Sequence, residues 1–94
     1  MTATSTASIP TEKGSRYLQQ LCKHFAHKTD VEFTPTSGWI KFDFGRGDLS
    51  ADGGGMTMVV NAENTEDLAR LKKVLASHLE RFAFREELTI NWST

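Results

Sequence analysis

The stretch that decides the fold runs from Leu68 to Trp92 and reads LARLKKVLASHLERFAFREELTINW. Its apolar residues recur every three or four positions, the spacing that places side chains on one face of a helix. That stripe consists of Leu68, Leu71, Leu75, Leu79 and Phe82. A short aromatic hinge, Phe82-Ala83-Phe84, ends the stripe. An alternating segment typical of a strand follows it. The inward residues of that strand are expected to be Leu88, Ile90 and Trp92. The rest of the chain must cover the stripe of this helix.

Composition bounds the class of protein. A chain of 94 residues has the size of one domain, which we assign to residues 1–94. The net charge of −1 provides no basic field that would attract nucleic acid or an anionic membrane. No apolar run approaches the roughly 20 residues that span a bilayer, and the N-terminus lacks the features of a signal peptide. The single cysteine, Cys22, excludes an internal disulfide and fits a reducing cytoplasm.

The first third of the chain predicts a strand and a helix. Residues 2–9 alternate small with hydroxyl-bearing side chains and end at Pro10, which predicts an edge strand; residues 1–3 are expected to form a disordered tail. Thr11 is the predicted N-cap of a first helix that runs to about Lys28. The apolar stripe of this helix consists of Tyr17, Leu18, Leu21, Cys22 and Phe25.

The middle of the chain predicts an antiparallel meander. The predicted strands are 31–34, 39–44, 48–51 and 56–61. Glycine-rich turns are predicted at 45–47 and 52–55. Asn64, followed by Asp67, predicts the start of the second helix, which should run from about Thr65 to Phe82. The order β-α-β-β-β-β-α-β therefore predicts an α+β two-layer sandwich, in which two helices cover one face of an antiparallel sheet. The order of strands across the sheet is left open.

Three segments of the chain resemble a known family. They are SRYLQQLCKHFAHK (15–28), VEFTPTSGWIKFDFG (31–45) and SHLERFAFREELTINW (77–92). Together they are similar to the bacterial domain-of-unknown-function family 2218. The resemblance implies a small cytoplasmic bacterial protein without an established activity, and it transfers no catalytic residues. Some relatives are encoded near iron-siderophore uptake genes, which implies a link to that process.

Two histidines are candidate ligand-binding residues. His78 lies within the apolar stripe of the second helix, and His24 lies at the margin of the stripe of the first, so the two can meet where the helices pack. A conventional metal site is not predicted: Cys22 and His24 are two residues apart on a helix and diverge by about 200°, and neither CxxC nor HExxH is present. The structural alternative for His78 is a core-edge histidine that is hydrogen-bonded to the backbone. We predict no metal and no cofactor.

Charged residues beside the aromatic hinge are further candidates. Arg81, Arg85 and Glu86 either satisfy the end of the helix and the surface, or form a site in which Arg85 closes a pocket on a carboxylate or phosphate. Trp39 is predicted on the exposed face of the sheet. There it either lies flat over neighbouring strands, lines a ligand groove or packs against a second copy.

Three functional hypotheses follow. The favoured one is a ligand-binding or accessory module for a small molecule, with a link to siderophore uptake. The second is a small enzyme that uses His78 with Arg85 or Glu86. The third is a homodimeric interaction protein that uses the sheet face around Trp39. A connected pocket that touches His24, His78 and Arg85 would favour the first two.

Overall fold

The computed structural model describes residues 3–93 and contains a six-stranded sheet and two helices. In chain order the elements are β1 (Ala3–Pro10), α1 (Gly14–Phe25), β2 (Val31–Phe33), β3 (Ser37–Phe42), β4 (Gly45–Asp52), β5 (Gly55–Ala62), α2 (Thr65–Phe82) and β6 (Asn91–Ser93). All strand pairs are antiparallel, and the strands lie in the order β2-β3-β4-β5-β1-β6. The predicted α+β fold class and element order are therefore confirmed. The predicted tail at 1–3 lies outside the described residues, apart from Ala3, which belongs to β1.

The core lies between one face of the sheet and the two helices. The apolar stripes of both helices and the inward residues of the strands form one buried cluster. The α2 leucines at its centre are Leu68, Leu71, Leu75 and Leu79. Helix α2 begins as predicted, because the Asp67 N–H donates to Asn64 Oδ1 at 2.8 Å and supplies one of the bonds that the first helical turn lacks. Neither helix in residues 3–93 combines the length with the apolar content needed to cross a bilayer.

Strand β1 is not an edge strand, so that prediction is wrong. It lies between β5 and β6, with Thr6 paired to Ser93. One of the hydroxyl-bearing residues of this strand is buried. Ser5 is 1% exposed, and its hydroxyl donates to the Ser93 carbonyl at 2.7 Å. A buried hydroxyl is tolerated when it is hydrogen-bonded, and the last strand provides that partner.

Helix α1 is shorter than predicted at both ends. Thr11 is not its N-cap: the helix begins at Gly14, and the Thr11 hydroxyl accepts the Lys13 N–H at 3.1 Å in the preceding turn. The helix ends at Phe25, whose carbonyl accepts the N–H groups of Lys28 and Thr29, each at 2.9 Å. Local hydroxyl bonds that compete with helix formation account for the late start.

The glycines of 45–47 are strand residues and not the predicted turn. The chain turns at Asp43 and Phe44, and β4 already begins at Gly45. A Cβ on Gly45 would come within 2.9 Å of Leu71 Cδ2, and one on Gly47 within 3.1 Å of Leu75 Cδ1. A Cβ on Gly45 would also lie 2.5 Å from the Asn61 carbonyl oxygen of β5. The two glycines therefore stand where α2 and β5 leave little room beside β4.

The last strand is also shorter than predicted. Only residues 91–93 pair with β1, while Leu88 and Ile90 lie in an irregular segment and pack half-buried against the core.

Cys22 is completely buried, and burial raises the pKa of its thiol to about 11. Because the thiolate is the reactive form, Cys22 is a core residue and a poor nucleophile.

Candidate functional site

His24 and His78 meet between the two helices. Their ring centroids are 4.8 Å apart, with His24 on α1 and His78 on α2. His78 Nδ1 lies 2.7 Å from the Val74 carbonyl oxygen, which can only accept, so Nδ1 carries the proton and donates. Both rings are half-buried. The hydrogen bond within α2 matches the structural alternative for His78, a histidine tied to its own backbone.

Aromatic side chains enclose this histidine pair. The Phe25 ring lies 5.0 Å from His24 and 4.9 Å from His78, and Phe82 lies 5.8 Å from His24. His24 Nε2 is buried and has no hydrogen-bond partner among the described residues. Burial lowers the pKa of His24, and neighbouring cationic groups, above all His78, lower it further. Protonation of His24 is therefore disfavoured.

Acidification is expected to destabilise the protein through His24. Its folded pKa lies below the ordinary 6.5, so the stability gained from the neutral ring is present above the unfolded pKa and is lost as pH falls through the folded one. We expect His24→Phe to lose less stability than the wild type between about pH 7 and pH 5. Urea unfolding across that range is the measurement. Lys73→Gln, an exposed change whose charge is not among those that lower the pKa of His24, is the control and should lose stability as the wild type does. Equal losses in wild type and His24→Phe would contradict the assignment.

Glu86 fastens the hinge segment, residues 82–86, to α1 and has no hydrogen bond to either histidine within residues 3–93. Its carboxylate accepts hydrogen bonds from the hydroxyls of Tyr17 and Thr11, the latter at 3.2 Å. Burial, with the Glu86 hydrogen bond and charge as further causes, raises the pKa of Tyr17 to about 12. Within residues 3–93 no hydrogen bond or ring contact joins His78 to Glu86 or Arg85. His78 is therefore bound to the backbone of α2 and Glu86 to Tyr17 and Thr11, so the two are not brought together as the enzyme hypothesis requires.

Arg85 lines a pocket of about 330 Å³ between α1 and the hinge segment. The pocket also receives two cations from the start of α1, Lys13 and Arg16. The remaining lining residues are Tyr17, Gln20, Phe82 and Phe84. No carboxylate belongs to this lining, and none of the three cations forms a salt bridge with another described residue. A pocket therefore lies at Arg85, but neither His24 nor His78 lines it, so it is not the connected pocket that would join Arg85 to both histidines.

Lys13 and Arg16 are the site residues that sequence reasoning missed. Their spacing contains a weak signal, because Lys13, Arg16 and Gln20 follow one another at three and four residues and so lie on one side of a helix. Nothing in that spacing shows which later segment faces them. Arg81, a predicted candidate, is exposed near His24, where its charge lowers the pKa of that ring, and it is not part of the pocket lining.

Trp39 lies on the face of the sheet opposite the helices, in register with Glu32 and Asp48. The Arg46 guanidinium lies 4.9 Å from its ring centroid and donates to Asp48 at 3.0 Å, so the half-buried Trp39 lies under a side chain of the next strand. A hollow of about 650 Å³ lies beside it. That hollow is lined by the carboxylates of Glu32 and Asp48 and by no lysine or arginine, so its charge is unsuited to an anion.

No group of three or more His, Cys, Asp and Glu side chains suited to a metal ion gathers within residues 3–93. The arrangement that offers the most binding chemistry is therefore the pocket of Lys13, Arg16 and Arg85. Guanidinium groups bind carboxylates and phosphates through paired hydrogen bonds, and an ammonium adds a point charge.

Comparisons with known proteins give the same fold and a family. The chain is 39% identical to a protein whose NMR structure is known, PA4090 from Pseudomonas aeruginosa, with a TM-score of 0.81 over 96% of this chain and 94% of that one. A de novo designed protein, Foldit4, matches with a TM-score of 0.55 at 11% identity, over 100% of this chain and 98% of that chain, which shows similarity of fold alone. No curated protein sequence matches. The profile of a family described as uncharacterized protein conserved in bacteria (DUF2218) matches residues 6–93, and the chain belongs to that bacterial family.

Proposed function

We propose that this protein is a ligand-binding module for a small organic anion, which it binds in the pocket between α1 and the hinge segment. The observation that carries the proposal is the convergence of Lys13, Arg16 and Arg85 on one pocket whose lining contains no carboxylate. Three unneutralised cations around a concave surface favour an anion, since a partly enclosed site strengthens charge attraction relative to open water.

The size and construction of the pocket support a small ligand. Its volume of about 330 Å³ is at the lower end of the roughly 300–1,000 Å³ typical of small-molecule sites. Arg16 is on α1, Lys13 directly precedes that helix, and Arg85 is on a segment fastened by Glu86 to Tyr17 and Thr11. The backbone at each cation is therefore ordered before a ligand binds, which favours affinity.

A role in iron-siderophore uptake falls within this proposal. Siderophores that bear carboxylate or catecholate groups are organic anions, and the resemblance to family 2218 implies a link to their uptake.

A cytoplasmic location is also part of the proposal, because the free thiol of Cys22 fits a reducing compartment.

The two alternatives receive less support. An enzyme built on His78 would need Glu86 or Arg85 beside it, whereas the Glu86 carboxylate is engaged by Tyr17 and Thr11. A homodimer through the open sheet face would use Trp39, whose ring is partly covered by Arg46. Both remain predictions.

Binding of citrate and inorganic phosphate, measured by isothermal titration calorimetry, tests the proposal. We expect Arg85→Ala to weaken binding by about tenfold to a hundredfold, because a hydrogen bond to a charged group contributes about 1.5–3 kcal/mol. Arg81→Ala is the matched control, since it removes the same charge four residues away and outside the pocket lining. Failure of every anion to bind, or equal effects of the two substitutions, would refute the proposed function.

A further inference from the structure

We infer that the anion bound in this pocket carries a single flat aromatic ring, so that its class is an aryl carboxylate or other one-ring aryl acid. This inference rests on the proposed function and specifies its ligand. It starts from Phe84, whose side chain is 76% exposed and is the only large hydrophobic one so exposed in residues 3–93. A single exposed apolar side chain is common on protein surfaces, so the argument depends on where this one lies.

Phe84 is held at the pocket by its neighbours on both sides. Ala83 is 2% exposed and part of the core, and the Glu86 N–H donates to the Ala83 carbonyl at 2.9 Å. The Glu86 side chain is bound in turn by Tyr17 and Thr11. The exposed ring therefore projects from a turn whose two ends are fastened.

The ring lies beside the cation that would bind the acid group. The Arg85 guanidinium is 5.4 Å from the Phe84 ring centroid, and both residues line the pocket with the half-buried Phe82. An acid group on Arg85 would leave the adjoining part of the ligand near Phe84 and Phe82, the two phenylalanines of the lining. Aromatic rings pack favourably there in offset or edge-to-face geometry, and the ligand ring would cover the exposed face of Phe84.

The volume leaves room for one ring and its acid group, since a cavity of about 150 Å³ already holds benzene. A pocket of about 330 Å³ is at the small end of ligand sites, which favours a one-ring acid over an intact multi-ring chelator.

The test compares the affinities of three anions: inorganic phosphate, cyclohexanecarboxylate and benzoate. Each is titrated into the full chain by calorimetry, and the comparison separates the contribution of charge from that of the aromatic ring. The two carboxylates share one acid group and a six-membered ring, and only benzoate is flat and aromatic. We expect benzoate to bind about 3–10-fold more tightly than cyclohexanecarboxylate, as aromatic pairing predicts. Phe84→Leu should abolish that preference while leaving cyclohexanecarboxylate affinity within about twofold.

Phe44→Leu is the matched control, because Phe44 also lies beside a guanidinium, that of Arg70 at 4.2 Å, but outside this pocket. It should keep the preference for benzoate. Equal affinities for both carboxylates, or a preference that survives Phe84→Leu, would overturn the aryl-acid inference while the anion-binding function stands. If no anion binds and Arg85→Ala changes nothing, the proposed function fails and the inference fails with it.

Discussion

Replacing Leu75 with alanine is expected to destabilise the protein by about 2–5 kcal/mol, the range for large-to-small changes at buried leucines. Leu75 is fully buried at the centre of α2. Its Cδ1 atom lies only 3.1 Å from the position that a Cβ on Gly47 would occupy. Because Gly47 has no side chain, this position of β4 cannot fill the space left by the missing leucine atoms, and a cavity is expected to remain.

Urea unfolding of the Leu75→Ala variant is the measurement, with Leu75→Met as the matched control. Methionine nearly conserves the volume of leucine, so the control should lose less than about 1.5 kcal/mol. If the alanine variant unfolds at the same urea concentration as the wild type, Leu75 does not occupy the centre of the core.

Replacing Gly45 with alanine is expected to cost about 1–3 kcal/mol or more, the range for overpacked sites. The added Cβ would lie 2.5 Å from the Asn61 backbone oxygen and 2.9 Å from Leu71 Cδ2. A leucine methyl can move, but the Asn61 carbonyl belongs to the strand that pairs with β4. The collision must therefore be relieved by moving the backbone of β4 or β5.

Gly53→Ala is the control for this experiment. No atom lies within 4 Å of a Cβ built on Gly53, so its free energy of unfolding should stay within about 0.5 kcal/mol of the wild type, as for other surface changes. Thermal unfolding of both variants is the comparison. A Gly45→Ala variant as stable as Gly53→Ala would mean that β4 and β5 do not approach each other as described.

The candidate site was predictable in part. The helical phases of His24 and His78 predict that they face the same interface, and their rings do meet at 4.8 Å. For Arg85 the sequence leaves open a role at the helix end or in a pocket, and the side chain lines a pocket. Its cationic partners, Lys13 and Arg16, could not be assigned, because they are about 70 residues away in the chain and no local pattern joins them to the hinge.

Glu86 is a second residue whose partners cannot be read from the local sequence. From the sequence it could support either His78 or the surface, since it follows the hinge in an irregular segment whose direction has no periodicity. Its actual partners are Tyr17 and Thr11. Hydrogen bonds between distant segments select the direction in which such a side chain points.

By itself, the sequence determined the element order, the bounds of α2 from Thr65 to Phe82, and the leucine stripe that forms the core, because these depend on spacing within one segment. The tertiary structure alone decided the strand order, which buries β1 between β5 and β6, and the strand role of Gly45 and Gly47 beneath α2. The tertiary structure also decided that Lys13, Arg16 and Arg85 line the same pocket. The physical reason is that strand pairing and side-chain convergence depend on contacts between segments far apart in the chain, to which local periodicity is insensitive.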